Sequence, residues 1–340
     1  MSKLLVQALN KEITNRIPYW YMRQAGRYLP EYRQERKKAG GFLEMCYRPE
    51  LAAKITMQPI ERFDVDAAII FSDILVIPDA LGQEVRFIPG EGPRLAEFSP
   101  QIFKHATVEK MHKHLKPVYE ALEVVREVLP DDKALIGFSA APWTLACYMI
   151  EGKGTKTFEK CRRSAIEQPK AFDVLIGMLQ HFIAHYLIKQ VKSGADVIQI
   201  FDSWAGVTNV AQFRKYVIQP TKWIIEQVKK EYPDVKIIGF PKDAGMLYLD
   251  YAAQTGIDGM SVDHHTPLTF LKDKVDVTLQ GNLDPLVLAG NELMMKEDII
   301  HKLDTMKDVP FIFNLGHGVV PFTPIGHVEY MLSLVREYKR

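Results

Sequence analysis

Eight short runs of β-type residues recur along the chain, and most are separated by segments whose apolar residues follow helical spacing. The runs are IPYWYM (17–22), AAIIFSD (67–73), ALIGFSA (134–140), DVIQIFDS (196–203), VKIIGF (235–240), GMSVD (259–263), VTLQGN (277–282) and PFIFNLGH (310–317). Continuous apolar strands that alternate with helices are typical of a parallel sheet covered on both faces. Eight of them in one chain predict an α/β fold, a single closed (β/α)8 TIM barrel.

An open, doubly wound sheet is the main alternative to the barrel. Such a sheet usually has fewer strands and a glycine-rich phosphate-binding turn after the first one, and neither GxGxxG nor GxxxxGK[ST] follows residues 17–22. The 340 residues contain no long Pro-, Ser- or Gly-rich linker, so we predict one domain, 1–340. The turn-rich stretch 82–105 is expected to leave the barrel after its second strand, and 285–308 to form one helical crossover with its loops.

Charge is nearly balanced over the whole chain but not locally. Lys and Arg number 43 against 42 Asp and Glu, which argues against nucleic acid or an anionic membrane as a partner. Segment 16–38 carries seven basic residues and two acidic ones, an excess of five. This excess favours a small, strongly anionic ligand, and a solvated basic helix face is the alternative.

The cysteines and the N-terminus indicate the compartment. Cys46, Cys147 and Cys161 lie far apart, with no CxxC and no histidines at ligand spacing, which favours a reducing compartment and argues against a thiolate zinc site. The N-terminal MSKLLVQALNKEI lacks the apolar run of a signal peptide, and no stretch approaches the roughly 18 apolar residues of a membrane span. We therefore expect a cytoplasmic protein.

Arg23 and Arg27 stand where the first predicted strand gives way to a glycine-bearing loop, in PYWYMRQAGR. Arginine stays charged at any working pH and donates bidentately to flat oxyanions. The pair is therefore interpreted as a clamp for carboxylate or phosphate, and the alternative is a loop arginine paired with an acidic neighbour.

Polar residues also mark the ends of the other predicted strands, where the active sites of such barrels gather. They are Asp73, Ser139 followed by Tyr148, Asp202 and Ser203, Lys242, Asp263, Asn282 and His317. Asp73 has a structural alternative as a helix cap, as do Asp202 and Ser203. His317, between glycines in NLGHGV, is either a site residue or an ordinary loop histidine.

Several familiar chemistries lack their motifs. There is no HExxH or GxSxG, and the two histidines of DHH at 263–265 point to different sides without a third metal ligand that can be named. What remains is a barrel mouth with arginines, one isolated carboxylate, a tyrosine, a serine and a histidine. Such a set can bind a polyanion and stabilise a cation that develops in its middle.

Two long segments resemble a known family. PYWYMRQAGR (18–27) and GFSAAPWTLACYMIEGKG (137–154) are similar to the two signature segments of the uroporphyrinogen decarboxylases, and FSDIL, FDSWAG, QGNLDP and NLGHGV resemble further blocks of that family in the same order. The resemblance implies a single (β/α)8 barrel, usually a homodimer, that acts as a carboxy-lyase in haem biosynthesis. Its implied reaction removes the four acetate carboxyls of uroporphyrinogen III to give coproporphyrinogen III, without metal or organic cofactor.

The resemblance also implies the site residues. The substrate-binding positions are Arg23, Gln24, Ala25, Gly26, Arg27, Asp73, Tyr148, Ser203 and His317. Asp73, Arg23 and Tyr148 are the implied catalytic residues, with Asp73 beneath the centre of the macrocycle. The general acid is left open, because an arginine with a pKa above 12 is a poor proton donor.

Two alternatives belong to other functional classes. A corrinoid-dependent methyltransferase shares the fold, but it needs a zinc site of the HxC…C kind, and no histidine lies two residues before any cysteine here. A non-catalytic tetrapyrrole carrier would keep the basic clamp and would bind porphyrinogen without turnover.

Overall fold

Parallel strands dominate the architecture. A computed structural model of the chain describes residues 3–88 and 90–340. In chain order the strands are β1 (Ala67–Ile69), β2 (Val85–Ile88), β3 (Gly92–Leu95), β4 (Ala134–Ala140), β5 (Val197–Asp202), β6 (Lys236–Pro241), β7 (Gly259–Ser261), β8 (Thr278–Leu283) and β9 (Phe311–Leu315). β1 and β4 to β9 form one parallel sheet in which each strand pairs with the next, and β2 and β3 form a separate antiparallel hairpin.

Helices connect and cover these strands. They are α1 (Leu4–Leu9), α2 (Pro30–Ala39), α3 (Phe42–Cys46), α4 (Pro49–Phe63), α5 (Val76–Ala80), α6 (Val108–His114), α7 (Lys116–Val128), α8 (Pro142–Glu151), α9 (Glu159–Glu167), α10 (Pro169–Lys192), α11 (Val210–Gln212), α12 (Gln219–Glu231), α13 (Tyr248–Thr255), α14 (Leu268–Leu271), α15 (Pro285–Ala289), α16 (Glu292–Met306) and α17 (Ile325–Glu337). Short 3-10 turns lie at Pro100–Lys104, Ala205–Val207 and Gly245–Leu247, and a π-helical turn at Phe213–Ile218.

The local sequence explains where many helices begin and which face they bury. Pro142, Pro169 and Pro285 each occupy a first helical position, where the missing N–H costs nothing. α7 buries Val118, Leu122 and Val125 at helical spacing and packs this stripe against α4.

The first predicted strand, 17–22, is reduced to a bridge. Tyr19 pairs in parallel with Phe313, whose N–H donates to the carbonyl of Pro18 at 2.9 Å. The N–H of Asp66 donates to the carbonyl of Tyr19, also at 2.9 Å, so the segment lies between β9 and β1 and closes the circle. Pro18 has no N–H for a regular ladder. The (β/α)8 prediction is confirmed, with the first of its eight strands irregular.

Asp66 holds this closing segment in place. Its carboxylate accepts two hydrogen bonds from the guanidinium of Arg16, at 2.5 and 2.7 Å, and one from the N–H of Tyr19 at 2.9 Å. The Asp66 side chain is only 4% exposed. Buried carboxylates are tolerated when they are paired and fully hydrogen-bonded in this way.

The barrel interior has an apolar floor and a polar layer. Trp20, Ile136, Ile238 and Ile312 belong to one buried cluster with Leu9 of α1, and a Cβ at Gly259 would lie 2.6 Å from a methyl of Leu9. α1 therefore plugs one end of the barrel. Above this floor, the buried side chains of Trp20, Gln280, Ser261 and Gln199 hydrogen-bond to one another.

The excursion 82–105 lies outside the barrel sheet, as predicted, and contains the β2–β3 hairpin, in which Val85 pairs with Leu95. Two other segment predictions need correction. Residues 285–308 form two helices, α15 and α16, because Gly290 ends the first and the side chain of Asn291 caps the second. The expectation that no stretch is apolar enough for a membrane span is also wrong.

α10 is long and apolar enough to cross a membrane by length and composition, but half of its apolar window is buried inside the protein. This is the position of a core helix, and α10 packs against β4 and α12.

We predict that Asp66→Ala lowers the free energy of unfolding by about 2–4 kcal/mol, because Arg16 and the N–H of Tyr19 both lose their partner. The matched control is Asp276→Ala, since Asp276 pairs with Lys11 but is 95% exposed, and its loss should cost less than about 0.5 kcal/mol. Urea unfolding followed by circular dichroism measures both. Equal losses in the two variants would contradict a special role for Asp66 in barrel closure.

Candidate active site

The site begins at Arg23, directly after the closing segment. Arg23 has φ 62°, in the left-handed region that non-glycine residues seldom adopt. Its side chain lies against Gly318, where a Cβ would be 2.3 Å from the Cδ of Arg23. The N–H of Val319 donates to the carbonyl of Met22 at 2.9 Å. The NLGHGV loop after β9 and the arginine loop are therefore packed on each other, and only glycine at 318 leaves room for the guanidinium.

Asp73 follows β1 and is half-buried. One of its oxygens accepts the N–H of Leu75 at 2.8 Å. Burial raises the pKa of Asp73 to about 6, while the Leu75 N–H and the charge of Arg23 act in the opposite direction. Asp73 does contact the turn before α5, as the capping alternative suggested, but its second oxygen is left for a ligand. It is a carboxylate at neutral pH and takes up a proton in mild acid.

Tyr148 lies on α8 against an aromatic wall. Its ring meets those of Phe158 and Trp204 edge-on, with centroids 6.2 and 6.0 Å apart. Burial raises the pKa of the Tyr148 hydroxyl above its ordinary value, and the carboxylate of Asp73 acts in the same direction. The hydroxyl is therefore a neutral hydrogen-bond donor at working pH.

His317 is kept neutral by its surroundings. Burial lowers the pKa of His317 to about 3, and the charges of Arg23 and Lys242 and the ring of His264 act in the same direction. An uncharged imidazole has one N–H donor and one acceptor nitrogen. It can hydrogen-bond a carboxylate without adding a further charge to the site.

Three side chains from distant parts of the chain thus lie within the influence of the Arg23 guanidinium. The charge of Arg23 acts on Asp73, on Tyr148 and on His317. Ser203 stands directly after β5, half-buried, and the next residue is anchored because the N–H of Trp204 donates to the hydroxyl of Thr144 at 3.2 Å. The structure brings these strand-end residues to one end of the barrel, as the sequence predicts.

The four residues that follow Arg23 in the RQAGR loop, 24–27, differ from one another in burial and hydrogen bonding. Gln24 is buried, and its amide donates to the carbonyl of Ala67 at 3.0 Å, so this side chain positions the loop. Ala25 and Gly26 are half-buried, and Arg27 is exposed. Ligand contact by these four residues stays a prediction.

Other strand-end candidates have structural partners. Ser139 donates to a neighbouring carbonyl, and Asn282 donates to the carbonyls of Asp263 and Thr266. Asp202 is buried and accepts a hydrogen bond from the hydroxyl of Thr144 at 2.6 Å, and burial raises its pKa to about 7. These residues support the loops that carry the site.

Some residues of the mouth were not assigned from the sequence. Phe158 and Trp204 supply the wall behind Tyr148, and His264 lies beside the NLGHGV loop. FDSWAG and DHH include two of them, but a motif alone does not tell which side chain faces the opening.

Comparison with known proteins decides the family. The family model described as Uroporphyrinogen decarboxylase (URO-D) matches residues 1–338. A uroporphyrinogen decarboxylase of Mesorhizobium japonicum is 47% identical over 340 residues, which cover 100% of this chain and 99% of that protein. One from Brucella canis is 47% identical over 339 residues, covering 99% of each. The chain belongs to the uroporphyrinogen decarboxylase family. It is a carboxy-lyase that decarboxylates uroporphyrinogen in haem biosynthesis, as the two signature segments predicted.

Solved structures of other proteins resemble the fold of this chain. A methyltransferase from Methanosarcina mazei superposes with a TM-score of 0.81 at 20% identity, over 99% of each chain. A B12-independent methionine synthase from a Shewanella species gives a TM-score of 0.53 at 10% identity, over 84% of this chain and 87% of that one. At these identities the likeness concerns the fold alone. The function follows from the relatives at 47% identity, and the methyltransferase alternative is not supported.

We predict that Asp73→Asn stabilises the fold at pH 8. Because the folded pKa of about 6 lies above the ordinary 3.8, ionising Asp73 costs stability as the pH rises from about 4 to 6 and beyond. The neutral amide avoids this cost, on the order of 1–3 kcal/mol after screening. Below pH 4 the carboxyl is protonated whether folded or not, so the gain should vanish. Urea unfolding at pH 8 and at pH 4 measures it, and a loss of stability at pH 8 would contradict the burial argument.

Proposed function

We propose that this barrel mouth removes all four acetate carboxyls of uroporphyrinogen III, giving coproporphyrinogen III, with Asp73 and Arg23 at its centre. The observation that carries the proposal is the grouping of unlike polar groups around Arg23, a carboxylate, a neutral phenol and a neutral imidazole. A polyanion with a central set of N–H donors is the ligand that fits such a grouping.

The reaction needs an electron sink, since a neutral pyrrole accepts electrons poorly. Protonation of the pyrrole α-carbon, next to the ring carbon that bears the acetate, gives a cationic iminium conjugated to the acetate-bearing carbon. The C–CO2 bond then breaks, and its electron pair forms an exocyclic methylene and neutralises the ring. Protonation of this methylene gives the methyl group, and loss of the proton from the α-carbon restores the pyrrole. The protonated pyrrole is itself the sink, so we propose that no metal or organic cofactor takes part.

Asp73 is proposed to stabilise that cation. Its carboxylate would accept the pyrrole N–H groups and lie beneath the developing positive charge. A preorganised group of this kind is typically worth about 3–4 kcal/mol of barrier. The pKa of about 6 keeps Asp73 ionised at neutral pH, and the N–H donors of the bound ring would favour the ionised form further.

The remaining site residues are proposed to hold the acid side chains. Arg23 and Arg27 would bind acetate and propionate carboxylates, and Tyr148, Ser203 and His317 would donate hydrogen bonds to others. Arg23 is also placed to hold a water that supplies the proton, because a guanidinium orients water well but releases its own proton poorly.

We further propose that the enzyme is a cytoplasmic homodimer formed through the rim of the mouth. Large apolar side chains are exposed in the segments that follow β5, β6, β8 and β9: Val210 at 51%, Met246 at 77%, Leu286 at 60% and Phe322 at 69%. Exposed apolar side chains clustered on one rim are typical of a protein–protein interface. Analytical ultracentrifugation of the purified protein tests this assembly.

We predict that Asp73→Asn lowers kcat by about 10²–10³-fold, the equivalent of 3–4 kcal/mol, and that Arg23→Ala lowers kcat and raises KM. The assay is anaerobic incubation with uroporphyrinogen III after EDTA treatment, with the oxidised products separated by carboxyl number. Wild type and the control Arg163→Ala, which removes an exposed cation paired with Glu167 on α9, should give products from eight carboxyls down to four.

Near-normal turnover by Asp73→Asn, with the fold checked by circular dichroism, would remove Asp73 from the mechanism. Binding without conversion by the wild type would favour the carrier.

A further inference from the structure

The carboxylates of the proposed substrate outnumber the cationic side chains among the site residues named so far. Uroporphyrinogen carries eight carboxylates, whereas Arg23 and Arg27 supply two guanidiniums. A carboxylate that enters the mouth loses part of its water shell and requires a cation or several donors in return. The side of the mouth formed by β5, β6 and β7 therefore needs a positive group of its own.

Lys242 occupies that side of the mouth. It directly follows β6, and its N–H donates to the carbonyl of Asp202 at 3.1 Å while its carbonyl accepts the N–H of Gly206 at 3.0 Å. Both contacts tie its backbone to the loop that carries Ser203. The side chain is only 15% exposed, so the ammonium is held within the protein surface and does not extend into bulk water.

The charge of Lys242 faces residues of the site. It lowers the pKa of His317, as do the charge of Arg23 and the ring of His264. His264 is packed on the NLGHGV loop, where a Cβ at Gly316 would lie 2.4 Å from the N atom of His264. The Nδ1 atom of His264 is buried and has no hydrogen-bond partner among the described residues. One cation and two imidazoles thus converge from β6, β7 and β9.

Asp243 is the present partner of the Lys242 ammonium. It is held in the left-handed region at φ 61°, and its own N–H donates to the buried carboxylate of Asp263 at 2.9 Å. Gly206 packs against it, since a Cβ there would be 2.5 Å from the Cβ of Asp243. The Asp243 carboxylate remains 41% exposed. An ion pair between neighbouring residues with one half-exposed partner is weak, so another carboxylate can replace Asp243 on the Lys242 ammonium.

We propose that Lys242 binds an acid side chain of the tetrapyrrole, and that the substrate carboxylate takes the place of Asp243 on its ammonium. This inference rests on the proposed function of the same mouth. Asp243 then acts as a stand-in anion that keeps Lys242 paired until the substrate binds. Lys242 is a specificity residue for a polycarboxylate substrate, and His264 offers a hydrogen-bonding nitrogen beside it.

Substitutions of Lys242 and of Asp243 should change KM in opposite directions, and this contrast tests the proposal. Lys242→Gln should raise KM for uroporphyrinogen III about tenfold or more, with kcat changed less than about threefold, and Lys242→Arg should recover most of the loss. Asp243→Asn removes the competing anion and should lower KM about two- to fivefold. Asn tolerates the left-handed backbone, and the backbone N–H bond to Asp263 does not depend on the side chain.

The double variant Lys242→Gln/Asp243→Asn tests whether the substrate carboxylate replaces Asp243 on the Lys242 ammonium. Its KM should equal that of Lys242→Gln, because without the ammonium there is no pairing for Asp243 to compete for. The increase of KM with ionic strength should also be less steep in Lys242→Gln than in the wild type, which a merely structural role would not produce. The matched control is Lys222→Gln on α12, which is 57% exposed and should leave KM unchanged.

The outcomes separate this inference from the proposed function. A wild type that fails to decarboxylate uroporphyrinogen would overturn the proposed function. A wild type that converts it, with KM unchanged in Lys242→Gln, would overturn only the role of Lys242. If Lys242→Gln does not fold, Asp243→Asn decides, and an unchanged or higher KM in that variant overturns the exchange.

Discussion

The active site depends on the way in which the barrel closes. Residues 18–20 bridge β9 and β1 through only a few backbone hydrogen bonds, and Asp66 holds them with the guanidinium of Arg16. Arg23 follows this bridge, and its side chain can lie across the mouth only because the NLGHGV loop of β9 is tied to Met22 and has glycine at 318. The contacts of this first segment with β9 and the loop that follows it therefore place the central cation of the site.

That cation and the depth of the mouth determine the protonation states of the groups around it. Burial raises the pKa of Asp73 to about 6 and lowers that of His317 to about 3. In each case the uncharged form is favoured more strongly than it is for the same side chain in water, as expected when burial removes a group from solvent. The site therefore has one carboxylate whose ionised form is destabilised by burial, and a histidine that adds no charge. A ring of N–H donors with acidic side chains relieves both conditions, which is why the geometry suits a porphyrinogen.

Much of this arrangement could be predicted from the sequence, because parallel strands in a barrel bring their carboxyl ends together. The alternation of strands and helices predicted the fold, and the strand ends predicted that Arg23, Asp73, Tyr148 and His317 would meet. Sequence spacing could not show that 17–22 is a bridge, since its apolar pattern is that of a buried strand. It also could not separate Lys242 from Asn282, because both stand at the end of a predicted strand and their partners cannot be read from the sequence. Asn282 is occupied by two carbonyls, whereas Lys242 has an exchangeable anion.

The most direct test of the account is an anaerobic crystal structure of the protein with coproporphyrinogen, the product of the proposed reaction. The account predicts the macrocycle over Asp73, with pyrrole nitrogens about 3 Å from its carboxylate, and side-chain carboxylates on Arg23 and Lys242. A macrocycle bound elsewhere, or with its nitrogens turned away from Asp73, would contradict the central place given to that carboxylate.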